Sequence, residues 1–149
     1  MRPMIHLTCI VALGVSWMAP VASLAGTTAP TTDKLAVPAA GKLGVADVKA
    51  MLDRKEPVFV FDANERESYL AGHIPGAQWV AYDAVSASSL PRSRDARLVF
   101  YCYNPQCGAS PLAAKTALGL GYHNVWLMPE GITGWRHAHL PVVAGAAPR

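Results

Sequence analysis

The chain is short of charge, and its basic residues are scattered. Over 149 residues, Lys and Arg number 13 and Asp and Glu 10, for a formal net charge of +3. Arg92, Arg94 and Arg97 form the only basic cluster. One such group fits a solvated loop and argues against the dense basic stripe that nucleic-acid binding needs. Cysteine is scarce as well: Cys9, Cys102 and Cys107 only. Cys102 and Cys107 lack the second ligand pair that would complete a zinc site, so neither a metal nor a cofactor is expected. No internal repeat occurs. The length is that of one small domain, enough to bury a core without disulfide staples.

Charge is missing altogether from residues 7–19, where only Thr8 and Ser16 interrupt an apolar run. Arg2 precedes the run, Pro20 ends it, and Ser23-Leu24-Ala25 places small residues at the −3 and −1 positions of a cleavage site. This is the pattern of a signal peptide at 1–25, with Gly26 opening the mature chain. The run is nearly long enough for an uncleaved anchor, but Pro20 and the small residues after it favour cleavage. The expected product is periplasmic or secreted, without stable membrane insertion. Losing Arg2 lowers the net charge from +3 to +2. Losing Cys9 leaves Cys102 and Cys107, an even pair in an oxidising compartment.

Residues 26–42, rich in Thr, Ala and Pro, read as a flexible leader. Val45, Val48, Met51 and Leu52 have helical spacing, so 45–53 is expected to be a helix. The continuous apolar runs 58–61 and 98–101 suit strands buried on both faces. Shorter strands are expected at 78–81 and 124–127. Helices are expected at 65–71, 111–119 and 132–137, and residues 144–149 form a tail. Strands alternating with helices imply an α/β fold: an open, mainly parallel central sheet of about five strands with helices on both faces. Trp79, Trp126 and Trp135 read as core or rim aromatics.

Cys102 directly follows the strand at 98–101, at the sheet edge where open parallel sheets bind ligands. Ser110 can act as N-cap and Pro111 fits the first helical position. The strand-to-helix loop Cys102-Tyr103-Asn104-Pro105-Gln106-Cys107-Gly108-Ala109-Ser110 can then curl its amides around the sulfur. The helix N-terminus adds partial positive charge, favouring a thiolate or a persulfide. Tyr103, Asn104, Pro105, Gln106, Gly108, Ala109 and Ser110 are therefore the candidate substrate-binding residues. Against this stand two blander readings, an inert buried Cys102 and a structural Cys102–Cys107 disulfide. A disulfide in so small a ring is expected to be strained, exposed and easily reduced.

Asp62-Ala63-Asn64, Tyr69 and Gly72-His73-Ile74-Pro75-Gly76-Ala77 occur in order and spacing as in the first signature of the rhodanese family. The strand ending in Cys102 resembles that family's active-site strand. Gly119, Gly121-Tyr122, Asn124-Val125, Gly131-Ile132, Trp135 and Leu140-Pro141-Val142 resemble its closing pattern. The resemblance covers about residues 43–143, the expected domain. It implies a rhodanese-like fold and a two-step sulfur transfer. Thiolate Cys102 would take a sulfane sulfur from a small donor and pass it to cyanide or a thiol. Asp62, Asn64 and His73 would then be structural support, with His73 ordering the loop after its helix rather than acting as a base.

The chain departs from the family in several places. Asn64 and Ser68 replace an Arg and a Glu, two short polar groups that could hydrogen-bond each other. The active-site loop is longer than usual and has Ala109 where the family has an Arg, so thiosulfate's charge falls to amides alone. The extra length brings in Cys107. Glu130 and His139 stand where Gly is common. Cys107 opens a second reading, a thiol–disulfide redox protein in which it is accessory or resolving and a redox partner protein is required. A non-catalytic binding module is a third. The absence of an Arg in the loop argues against an oxyanion-transfer role.

Overall fold

The structure, a computed structural model, describes residues 39–146. The signal and cleavage-site reading, and the leader as far as residue 38, lie outside the described residues. Among the described residues, no helix is long and apolar enough to cross a membrane.

Among the described residues, five strands and four helices follow in the order β1 (Gly41–Lys42), α1 (Val45–Asp53), β2 (Val58–Asp62), α2 (Arg66–Ala71), β3 (Gln78–Trp79), β4 (Arg97–Tyr101), α3 (Ala109–Gly119), β5 (Val125–Leu127) and α4 (Gly131–His137), with a loop and no helix between β3 and β4. The strands form one sheet in the order β1-β5-β4-β2-β3, and every pairing is parallel. The α/β expectation therefore holds, and the sheet is wholly parallel. Gly41 and Lys42, read from sequence as the end of the leader, pair with Trp126 and Leu127 as an edge strand. Two residues are too few to show a period, so β1 left no signal. The strand expected over 78–81 stops at Trp79.

Successive side chains of a strand point to opposite faces, and here they feed two cores. Phe61, Leu98, Phe100 and Cys102 join Ala113, Ala114 and Ala117 of α3 on one side. Val60, Val99 and Tyr101 join Val48 of α1 and Ile132 and Trp135 of α4 on the other. Phe61 and Phe100 stack at 5.2 Å across β2 and β4. The alanines of α3 let the helix lie close on β4 and β5. β4 is thus the central strand, covered on both faces, which explains its unbroken apolar run. It delivers Cys102 to its carboxyl end on the α3 side.

Candidate active site

The end of β4 is held from two directions. On the β2 side, Ala63 N–H donates to the Tyr101 carbonyl at 2.9 Å. The Tyr101 hydroxyl donates to Asp62 Oδ2 at 2.7 Å and accepts from Ile74 N–H at 3.1 Å. Asp62 is fully buried, and its Oδ1 also accepts from the backbone and side-chain nitrogens of Asn64, each at 2.8 Å. Asn64 therefore serves Asp62 rather than Ser68. A short amide two residues along folds back onto the carboxylate, an Asx-type local bond that the Asn64–Ser68 spacing does not outcompete. His73 is buried, with Nδ1 2.9 Å from the Tyr69 carbonyl and its ring stacked on Tyr69 at 3.8 Å. Its backbone pairs with Val143. Asp62 thus bears on β4 through Tyr101, with Asn64 behind it, whereas His73 ties α2 to the segment at Val143.

On the other side, α4 grips the loop backbone. Ile132 N–H donates to the Cys102 carbonyl at 2.8 Å, and Thr133 N–H to the Tyr103 carbonyl at 3.0 Å. Gly131 makes this approach possible. Its φ is +62°, and a Cβ there would lie 2.5 Å from the Cys102 oxygen and 2.6 Å from the Tyr103 carbonyl carbon. Sequence reading passed over Tyr101 and Gly131 as site residues. The signal available for Gly131 was only a glycine at a strand-to-helix junction, the residue type that a positive φ or a close backbone approach requires.

Cys102 is 2% exposed. The Ser110 hydroxyl donates to its Sγ at 3.3 Å. Ser110 was expected to cap α3, but the helix begins two residues earlier than expected, at Ala109, with Gly108 as N-cap (φ −85°, ψ −8°), and no side chain caps it. Ser110 lies within the first turn with its hydroxyl on the sulfur instead. Pro111 is still tolerated there, since a first-turn N–H has no intrahelical partner. The Ala109 and Ser110 amides stand in that same first turn and supply the positive end of the helix dipole.

Cys102 and Cys107 are joined as a disulfide, with Cα atoms 6.3 Å apart. The Cys107 carbonyl lies 3.5 Å from Cys102 Sγ, a partner for a thiol proton when the pair is reduced. Cys107 is brought there by a turn: its N–H donates to the Asn104 carbonyl at 3.1 Å, and Gln106 N–H donates to Asn104 Oδ1 at 3.1 Å. Cys102 is buried and Cys107 half-buried, so the pair is less exposed than its ring size suggested. Tyr103 is 52% exposed at the rim. Asn104, Pro105 and Gln106 line a cleft of about 450 Å³ against α4, together with Glu130, Thr133 and His137, and neither cysteine lines it. The candidate substrate-binding residues therefore divide. Ser110 touches the sulfur and Ala109 shares its helical turn, whereas 104–106 face a separate cleft. Among the described residues, no group of three or more His, Cys, Asp or Glu could hold a metal ion.

Burial pushes the Asp62 carboxyl above its ordinary value of 3.8, against the lowering effect of bonds from Tyr101 and Asn64. Burial, then Asp62, pushes the Tyr101 phenol up as well. A carboxyl with a raised folded pKa binds more protons folded than unfolded. Its contribution is complete below 3.8 and is lost as pH rises through the folded value. Asp62→Asn removes this titration. The stability difference, wild type minus variant, should fall as pH rises from 3.8, measured by urea denaturation at a series of pH values. A flat difference would contradict the assignment.

A family model described as Rhodanese-like domain matches residues 44–138. The thiosulfate sulfurtransferase GlpE of Pseudoalteromonas translucida (strain TAC 125) is 29% identical over 97 residues, covering 65% of this chain and 90% of that protein. The uncharacterized protein YibN of Escherichia coli (strain K12) is 27% identical over 137 residues, covering 89% of this chain and 90% of that protein. The crystal structure of the BH2092 protein from Bacillus halodurans superposes with a TM-score of 0.65 at 25% identity, over 70% of this chain and 77% of that one.

Proposed function

The chain belongs to the rhodanese-like domain family, and on that premise we propose that it is a sulfurtransferase whose nucleophile is Cys102. One observation carries the reading: a buried cysteine at the carboxyl end of the central strand, with the Ser110 hydroxyl of the next helix on its sulfur. In the reduced protein, the Cys102 thiolate attacks the sulfane sulfur of a donor such as thiosulfate. The sulfur–sulfur bond of the donor breaks, sulfite leaves with the bonding pair, and Cys102 keeps a persulfide. Cyanide or a thiolate then attacks the outer sulfur and frees the Cys102 thiolate. The Ser110 hydroxyl and the amides of the first α3 turn stabilise the anion at each stage. The loop 102–110 contains no Lys or Arg, so affinity for a dianionic donor is expected to be weak.

The test is thiocyanate formation from thiosulfate and cyanide by reduced protein. Parallel lines in double-reciprocal plots are expected, the mark of a covalent intermediate between two half-reactions. Intersecting lines, or no thiocyanate from folded, reduced protein, would overturn the reading. The Cys102–Cys107 pairing favours a second reading, thiol–disulfide exchange with a protein partner. That reading requires reduction of the pair to be catalysed without any sulfane donor. The apolar run at 7–19 and Ser23-Leu24-Ala25 further support export, with a mature chain beginning at Gly26. N-terminal sequencing of the exported product checks this, and an intact Met1 on a membrane-bound product would contradict it.

A further inference from the structure

We propose that Cys107 is a resolving thiol that gives the site a second activity: release of the bound sulfane sulfur as hydrosulfide. The inference rests on the Cys102 persulfide proposed above. It starts from the placement of Cys107. The Asn104 turn carries Cys107 back over the strand end, and its sulfur is bonded to Cys102 Sγ in the structure. The loop backbone is held at Cys102 and Tyr103 by the amides of α4, and Cys107, half-buried, packs at the margin of the core on the α3 side, which keeps its sulfur beside Cys102.

In a loaded site, Cys102 Sγ is bonded to the transferred sulfur. The Cys107 thiolate attacks Cys102 Sγ. The Cys107–Cys102 bond forms, the bond to the outer sulfur breaks, and that sulfur leaves with the bonding pair, taking up one proton as hydrosulfide. The sulfane sulfur gains two electrons, and the two cysteine sulfurs lose one each. The product is the disulfide present in this structure. The Ser110 hydroxyl at 3.3 Å and the positive end of α3 favour negative charge at this sulfur while the bonds exchange. The disulfide leaves Cys102 buried and without a free thiolate, so no further donor sulfur is accepted until an external dithiol reduces the pair. That dithiol becomes a disulfide and supplies the two electrons that left with the sulfide.

The experiment follows a single turnover. Fully reduced, desalted protein receives one equivalent of thiosulfate under anaerobic conditions, with no cyanide or added thiol. Sulfide is measured over time, and the Cys102 peptide is read by mass spectrometry. Wild type is expected to release one sulfide per chain and finish as the Cys102–Cys107 disulfide, at a rate independent of protein concentration. Cys107→Ala and Cys107→Ser are expected to stop at the Cys102 persulfide, with sulfide release slowed at least ~100-fold, because an intermolecular thiol must replace a positioned one. Wild type that holds a lasting persulfide, or variants that release sulfide at the wild-type rate, would overturn the inference while leaving the sulfurtransferase reading intact. If no protein takes up sulfur, the sulfurtransferase reading falls and this inference falls with it.

Discussion

Cys102→Ser is expected to abolish thiocyanate formation while the fold persists. Serine is a poor nucleophile near neutral pH, and a hydroxyl there cannot take up a sulfane sulfur as a persulfide. The loss should be roughly 1,000-fold or more, the scale seen when a covalent nucleophile is removed. The position should tolerate the exchange. Serine is close in size, and the Ser110 hydroxyl and Cys107 carbonyl, already beside the sulfur, can partner its oxygen. Stability must be compared with reduced wild type, so that the cross-link's own contribution cancels. A Cys102→Ser protein that turns over at the wild-type rate would remove Cys102 from the mechanism. Unfolding of the variant would instead show that the sulfur serves the core.

Gly131→Ala should be the most disruptive small change outside the nucleophile. Two costs add. A side chain at φ +62° is strained by about 1–2 kcal/mol. The new Cβ would also press on the Cys102 and Tyr103 carbonyls at 2.5–2.6 Å, an overpacking cost of about 1–3 kcal/mol. The expected destabilisation is therefore roughly 2–5 kcal/mol, with loss of sulfur transfer because the loop is pushed off α4. Gly121 is the internal control. It has φ +88°, but a Cβ placed there would meet nothing within 4 Å, so Gly121→Ala should show only the backbone cost. Urea denaturation of both variants gives the comparison. Equal, small losses would mean that the Gly131 contact to the loop yields easily.

Much of the fold was legible because buried parallel strands announce themselves. The runs at 58–61 and 98–101 became β2 and β4, and the alternation of strands and helices implied a parallel sheet. The edges were harder. β1 and β3 are two residues each, and their pairing depends on partners far along the chain that carry no local pattern. At the site, the position of Cys102 followed from the strand's end. The role of Ser110 did not. A Ser-Pro pair reads as a cap and first turn, but the helix had already begun at Ala109, which frees the hydroxyl for the sulfur. The Asn64 amide could likewise have bonded Ser68, but the nearer Asp62 carboxylate takes both of its nitrogens. The hold of α4 on the loop joins residues about thirty apart in sequence, and only the folded chain reveals it.

The most direct test of the central claim locates the sulfur. Reduced Cys107→Ala protein is exposed to thiosulfate, desalted, alkylated and digested, and the Cys102 peptide is examined by tandem mass spectrometry before and after cyanide. Cys102 is expected to carry one additional sulfur atom before cyanide and none after, with an equal amount of thiocyanate formed. Cys102 unmodified in a folded protein, or an added sulfur that cyanide cannot remove, would contradict the account.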